Sequence, residues 1–321
     1  MTNNNFGRET TADEAASFYA SEIQGKTVLV TGSTWGGLGA ESARVIAKHN
    51  PKLLILAGRK QEALDETVQK IKEESPKANL RTLIIDLASL ESVKKAAAEV
   101  NQYPEPIDVL INNAGIMASP YHTTKDGFEG QLGTNHLGPF VFTNLILPRI
   151  LASSSRRIVN VSSGLSALSS IHFDDPQFKN GETYAKWIAY GQSKTANILF
   201  SRELAKRYGS KGLVAFSLHP GVIATNLARD VKPEEFEVPF YDAWGQPFDS
   251  STVDFKTLEA GSSTHIVAAF DQSIKDQSGS YLDNCQIAND SQHLRPYATN
   301  DENAHKLWTL SEQLVEQQFS L

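Results

Sequence analysis

The chain has 321 residues, of which 40% are apolar and 21% charged, the usage of an ordinary folded protein rather than a disordered or repetitive one. Its formal charge of −7 offers no basic field for nucleic-acid phosphates. One cysteine, Cys285, excludes a disulfide framework or a thiolate zinc site within the chain, and is consistent with a reducing compartment.

Residues 1–24 read as a polar N-terminal extension with a short helical patch around Glu14 to Ile23. They lack the basic stretch followed by an apolar one that marks a signal peptide. The most apolar segments, "KLLILAG" and "FVFTNLILPRIL", fall short of the ~20 residues needed to cross a bilayer, so the expectation is a soluble, cytoplasmic protein. Residues 25–321 read as one domain. "KTVLVTG" is a β-branched strand ending in Gly32, and "ESARVIAKHN" then spaces its apolar residues at helical period and closes at Asn50-Pro51. Strand "KLLILAG", helix "EALDETVQKIKEE", strand "LRTLIID", helix "LESVKKAAAEV" and strand "IDVLINNAG" follow. The second half continues with helix "FVFTNLILPRIL", strand "RIVNVSS", helix "IAYGQSKTANILFSRELAKRY" and strand "LVAFSLHPG". Continuous apolar strands alternating with helices predict an α/β fold of the Rossmann type, a doubly wound parallel sheet with helices on both faces. Two stretches break the rhythm, 165–187 and 230–255. Both follow the C-terminal ends of predicted strands, where open α/β sheets bind ligands, and both suit a substrate lid. Phe240, Tyr241, Trp244 and Phe248 in the second would make its apolar lining, which hints at a hydrophobic or aromatic substrate.

"TGSTWGGLG" (31–39) lies between the first strand and helix, where glycines let the backbone turn tightly and approach a pyrophosphate at the helix N-terminus. The second strand ends in "AGRK", without the acidic residue that binds a ribose 2′-hydroxyl. Arg59, with Lys60 beside it, can instead pair a 2′-phosphate, which favours NADP(H) over NAD(H). Asp86 ends the third strand, placed to accept a hydrogen bond from an adenine amino group; a plain helix N-cap is the rival reading, and the two roles are compatible. "NNAG" (112–115) ends the fourth strand with small residues against which a ribose can lie.

"YGQSK" sets a phenol and an ammonium four residues apart on one helical face, so that the Lys194 charge can favour the Tyr190 phenolate. Together "TGSTWGGLG", "NNAG", "NHLG" (135–138), "RIVNVSS", "YGQSK" and "HPGVIAT" (219–225) occur in an order and spacing that resembles the short-chain dehydrogenase/reductase family. The resemblance runs over residues ~25–290. "GFEGQLGTNHLGPFVFT", "ILFSRELAKR" and "SGSYLDNCQIA" are most similar to its retinol-dehydrogenase-like and WW-domain-oxidoreductase-like branch.

The resemblance implies Tyr190 as proton donor or acceptor at the substrate oxygen, with Lys194 lowering its pKa and holding the nicotinamide ribose. It also implies Ser163 as hydrogen-bond donor to that oxygen and Asn135 as holder of a water that links Lys194 to solvent. Ser162 competes with Ser163, but neighbours in a strand face opposite sides. The family's dinucleotide contacts fall on Gly32, Ser33, Gly37, Leu38 and Gly39 in the turn, on Arg59 and Lys60, and on Asp86 and Leu87. They continue on Asn113, Ala114 and Gly115, on Tyr190 and Lys194, and on Pro220, Gly221, Ile223 and Thr225, the last gripping the carboxamide. Self-association as a homodimer or homotetramer, commonly through helices including the one bearing Tyr190, is part of the same expectation.

Three departures accompany it. The glycine turn is one residue longer than the common pattern, which leaves the contacts of Ser33, Thr34 and Trp35 open. Ser163 and Tyr190 stand about twice the usual interval apart. The N-terminal anchor of many retinol-active relatives has no counterpart here, which turns the expectation from a lipid-dissolved retinoid toward a soluble carbonyl compound. Other chemistries fit less well. Tyr184 and Lys186, two residues apart, point to different sides of a helix. No G-x-S-x-G elbow or H-E-x-x-H pattern exists, so neither a serine hydrolase nor a metal site is expected. His136 and His219 read as packing residues, and Asp174 and Asp175 as a solvated loop. The reading is therefore an NADP(H)-dependent oxidoreductase. Its alternatives are a catalytically silent NADP(H)-sensing or scaffold protein of the same fold, or a reductase of an activated C=C bond.

Overall fold

Each apolar run predicted as a strand folds as one, because residues alternating along it find a separate helical layer on each side of the sheet. A computed structural model describes residues 5–225, 227, 255–288 and 294–320, and the backbone of 240–241 and 247–248. Strands β1 (Thr27–Thr31), β2 (Leu53–Gly58), β3 (Leu80–Ile84), β4 (Val109–Asn112), β5 (Arg157–Val161) and β6 (Val214–His219) pair in parallel. Two short strands after β6, β7 (Val222–Ile223) and later β10 (Phe255–Lys256), pair with each other outside the main sheet. Between them Phe240–Tyr241 (β8) pairs antiparallel with Pro247–Phe248 (β9). The main sheet has eight strands in the order β3-β2-β1-β4-β5-β6-β11-β12, with β11 (Tyr281–Asp283) parallel to β6 and β12 (Gln286–Ile287) antiparallel at the edge. The order reverses between β1 and β4, which opens a crevice at their C-terminal ends.

Val28, Val30, Leu54 and Leu56 face one layer, formed by α3 (Leu38–Ala47), α4 (Gln61–Glu74) and α9 (Leu258–Phe270). Leu29, Leu53 and Ile55 face the other, formed by α5 (Leu90–Asn101), α7 (Gly138–Leu151) and α8 (Lys186–Tyr208). These are the two covered faces of a doubly wound sheet.

The N-terminal stretch contributes more than a tail. Helix α1 (Ala12–Phe18) starts at a Thr11–Glu14 capping box, and with α2 (Ala20–Ile23) it buries Ala12, Ala15, Ala16, Tyr19 and Ile23 in the first layer. Its Asp13 binds Arg44 at 2.6 Å and Lys48 at 2.7 Å on α3. The reason lies in α9, where every residue from Ala260 to Phe270 is buried. A helix apolar on all sides needs an outer cover, and α1 provides one.

The other layer is closed by α10 (Asp301–Leu314). Its Trp308, buried, stacks on Phe140 (5.0 Å between centroids), Phe200 (6.0 Å) and Tyr208 (6.4 Å), with the Arg207 guanidinium 4.2 Å above the indole. Helix α10 thus covers part of α8, the helix to which the resemblance assigns self-association.

The irregular stretch 165–187 is packed down. Ile171 and Phe173 join Leu199 of α8 and Leu307 of α10 in a small cluster, and the Tyr184 hydroxyl donates to the Ser119 carbonyl at 2.9 Å. Trp244 and most of 230–255 lie outside the described residues, as do the side chains of Phe240, Tyr241 and Phe248. Among the described residues no helix is long and apolar enough to cross a membrane.

Candidate functional site

Helix α8 brings Tyr190 and Lys194 to the C-terminal ends of β4 and β5, one turn apart. The Lys194 ammonium stands 5.6 Å from the Tyr190 ring centroid and donates to the Val161 carbonyl at 3.1 Å. Ser163 lies two residues past the end of β5 and caps a short 3-10 turn (Gly164–Leu168), its Oγ accepting from Leu165 N at 3.1 Å, with its hydroxyl beside the Tyr190 phenol. Ser162 points the other way, donating to the Lys194 carbonyl at 2.7 Å inside the protein, as the alternation of strand neighbours requires.

Asn135 sits in a single π-helical turn (Gly133–Leu137) between α6 (Gly130–Leu132) and α7, the kind of local bulge that recurs at functional sites. Its Oδ1 accepts from Ile116 N at 2.8 Å, and its Nδ2 donates to Ile116 O and to Ser193 Oγ, both at 2.9 Å. The side chain is thus engaged in clamping the segment after β4. A Cβ placed on Gly115 would come within 3.0 Å of Asn135 Oδ1 and 3.4 Å of Lys194 Nζ. Asn135, Lys194 and Gly115 therefore converge.

Burial pushes the Tyr190 phenol above its ordinary pKa, and the hydrogen bond from Ser163 draws it back only in part. Burial likewise pushes the Lys194 ammonium down, to about 8. In a low-dielectric site the loss of hydration disfavours both charged forms.

The glycine turn lies against the end of β4. A Cβ on Gly39 would fall 2.5 Å from Asn113 Nδ2 and 2.6 Å from the Gly32 carbonyl oxygen, so only glycine admits this approach. Ser33 is buried, its Oγ donating to Val30 O at 2.8 Å and its carbonyl accepting from Thr67 Oγ1 at 2.8 Å, and Trp35 packs on the core. The extra residue of the turn is thereby absorbed without disturbing Gly37, the N-cap of α3, which has no side-chain hydrogen bond. The amides of Leu38, Gly39 and Ala40 meet no capping side chain, and they fit the phosphates of a dinucleotide. Arg59 and Lys60 are exposed where β2 ends and pair with no other described residue, as a 2′-phosphate would require.

Asp86 is half-buried, with Oδ1 accepting from Ala88 N at 3.2 Å and Oδ2 4.0 Å from the Lys125 ammonium, while the cap of α5 is Ser89. Leu87 is buried, its carbonyl against Gly138 of α7. Asn113 N and Ala114 N both donate to Thr31 Oγ1, at 3.0 and 3.1 Å, which ties the ends of β1 and β4 together. Beyond β6, Pro220 is buried and Gly221 has φ +99°, while Ile223 packs on Gly261 of α9 and Thr225 Oγ1 accepts from Leu227 N at 3.3 Å. Pro220 to Thr225 thus flank the crevice from the β6 side.

His219 and His136 are packing residues, as read from the sequence. His219 Nδ1 accepts from Gly164 N at 3.1 Å and so steadies the turn after Ser163, and His136 Nε2 lies 2.7 Å from Ser311 Oγ of α10. The sequence reading missed His265, buried in α9 with Nε2 3.3 Å from Asn113 Oδ1.

Residues 26–174 match the family model for short chain dehydrogenases. Retinol dehydrogenase 13 of Homo sapiens is 36% identical over 301 residues, covering 91% of this chain and 85% of that protein. Among solved structures, an uncharacterized protein from Mycobacterium Paratuberculosis superimposes with a TM-score of 0.71 at 32% identity, over 93% of this chain and 96% of that one. A short chain dehydrogenase from Escherichia coli CFT073, complexed with NADPH, has a TM-score of 0.61 at 22% identity over 83% and 98% of the two chains, and shares the fold.

Proposed function

This chain belongs to the short-chain dehydrogenase family, whose members couple alcohol and carbonyl redox chemistry to NAD(P), and from that premise we propose an NADP(H)-dependent oxidoreductase. Its substrate in this reading is the carbonyl, or the primary or secondary alcohol, of a hydrophobic or aromatic small molecule. The observation that carries the proposal is the convergence of the Tyr190 phenol, the Ser163 hydroxyl and the Lys194 ammonium beside Gly115 and Asn135.

A dinucleotide bound here would supply the hydride chemistry of its nicotinamide. The uncapped amides of α3 would hold its phosphates, Arg59 and Lys60 its 2′-phosphate, Asp86 its adenine and Lys194 the nicotinamide ribose. In the reducing direction the Ser163 hydroxyl donates a hydrogen bond to the substrate oxygen and polarises the carbonyl. The Tyr190 phenol delivers its proton to the same oxygen as charge develops there. The Lys194 ammonium steadies the phenolate left behind, and Asn135 holds the β4 segment so that Lys194 keeps its place. In the oxidising direction the same groups act in reverse, with the phenolate as base.

NADP(H) is supported by the two exposed cations at the end of β2, in place of an acidic residue. An apolar substrate is supported by the 36% identity to a protein named retinol dehydrogenase. A reducing, cytoplasmic setting is part of the reading and rests on the scarcity of cysteine. The test is a fluorescence titration with NADPH and NADH, followed by NADPH consumption on a panel of aromatic and aliphatic aldehydes and ketones with product identification. Tighter NADPH binding with alcohol products is expected. Binding without turnover across the panel would favour a sensor or scaffold, and saturation of a C=C bond would favour an enone reductase.

A further inference from the structure

The buried part of α9, Ala260 to Phe270, consists of apolar residues, glycine, serine and threonine with one ionisable group, His265. An aliphatic side chain would fill this position at lower desolvation cost. The imidazole meets a single described polar side chain, Asn113, through Nε2 at 3.3 Å. The other end of that carboxamide is committed, since Asn113 Nδ2 donates to the Thr31 carbonyl at 2.9 Å and lies 3.4 Å from the Gly32 carbonyl. Asn113 Oδ1 therefore faces His265, and an acceptor there obliges Nε2 to carry the proton. Burial pushes the imidazolium down to about 4 against the opposing pull of the Gly261 backbone, so the ring holds one proton. Nδ1 finds no hydrogen-bond partner of proper geometry among the described residues, which leaves Nε2, facing Asn113 Oδ1, as the place for it.

The same carboxamide is wedged under the glycine turn. Asn113 Nδ2 lies 2.5 Å from where a Cβ on Gly39 would sit and 2.9 Å from one on Gly32, so the turn has no slack on this side. With the amide reversed, Oδ1 would face the Thr31 and Gly32 carbonyls. Two like dipoles would then push apart the strand end and the turn whose amides point at the pyrophosphate.

We propose that His265 is a positioning residue for the dinucleotide, its Nε2–H holding the Asn113 carboxamide in the orientation that keeps the glycine turn shaped for phosphate. The proposal rests on the reading of the crevice as a dinucleotide site. His265 touches neither substrate nor nicotinamide, so its loss falls on dinucleotide affinity and not on the chemical step.

Three variants test this by fluorescence titration with NADPH, alongside thermal midpoints. His265→Leu removes the donor, and its Kd is expected to rise roughly tenfold, as leaving one buried acceptor unpaired implies. Steady-state kinetics should show the same rise in KM for NADPH with kcat within about twofold of the parent. His265→Gln sets an amide N–H close to the position of Nε2 and should restore Kd to within about threefold of the parent, whereas His265→Asn is too short and should bind as weakly as His265→Leu. Unchanged Kd in folded His265→Leu, or equal weakening in His265→Gln and His265→Asn, overturns the proposal. Should His265→Leu fail to fold, the Gln and Asn pair decides alone. A parent protein that binds neither NADPH nor NADH would instead overturn the dinucleotide reading.

Discussion

Replacing Tyr190 with phenylalanine removes one hydroxyl and leaves the ring, which sits edge-on to Trp187 at 6.5 Å, in place. Ser163 Oγ continues to accept from Leu165 N at 3.1 Å, and its hydroxyl, half-buried at the crevice, can donate to water instead. The stability change should stay below about 1 kcal/mol. Catalysis is another matter. General acid–base assistance contributes roughly 10²–10⁴ in rate, about 3–5 kcal/mol of barrier. No neighbour can substitute, because the Lys194 ammonium is turned to the Val161 carbonyl and stands 5.6 Å from the ring centroid. The expected loss in kcat/KM is therefore toward the upper end, near 10⁴. The assay follows NADPH oxidation with an aromatic aldehyde, and pairs it with the NADPH Kd and a urea midpoint, both of which should match the parent. Because burial keeps the phenol protonated through neutrality while it brings the Lys194 ammonium down to about 8, parental reduction should hold below that pH and fall as the medium passes through it and the ammonium is lost. A Tyr190→Phe enzyme that keeps more than about a tenth of the parental kcat/KM would refute the assignment.

Arg59→Leu should weaken NADPH by roughly 10- to 100-fold, the value of a charge-assisted contact, and leave NADH within about twofold; equal effects on both would remove the 2′-phosphate role. Trp308→Ala should cost about 3–5 kcal/mol in urea unfolding, since it empties a socket of three aromatic rings and one guanidinium, and a loss under about 1 kcal/mol would contradict the packing described. His136 is buried neutral, its pKa pushed down to about 3. Below pH ~6.5 the unfolded chain takes up a proton that the folded one refuses, so this residue should cost up to about 1.4 kcal/mol of stability per pH unit as acidity increases. In His136→Gln that part of the slope of urea midpoint against pH should vanish, and parallel slopes would count against it.

The sheet was legible from β1 to β6 because a strand covered on both faces is a continuous apolar run, and such runs need no period to be seen. The C-terminal third was not, for a related reason. Helix α9, "LEAGSSTHIVAAF", is covered on every side and shows no apolar stripe, and β11 is three residues long. The role of residues 12–23 was hidden with it, since a cover is recognisable only once the surface it covers is known. In the site, Ser163, Tyr190, Lys194 and Asn135 carried a motif that the eye can follow. The burial of Tyr190 could not be read from spacing, because it depends on how much protein closes over the phenol. His265 lies 152 residues from Asn113 and has no local pattern to mark it. That Ser89 and not Asp86 caps α5 needed the backbone to be seen.

The covering of α8 by α10 has a consequence for how the chain is made. Helix α10 begins about ninety residues after α8 ends, so at ribosomal speeds the outer side of the helix carrying Tyr190 waits roughly 5–20 s for Trp308 to emerge. Helix α1 waits longer still, for the arrival of α9. A nascent chain that has not yet presented α9 and α10 therefore exposes two apolar surfaces at once, and the interval before those helices emerge is the period in which chaperones matter most to this fold.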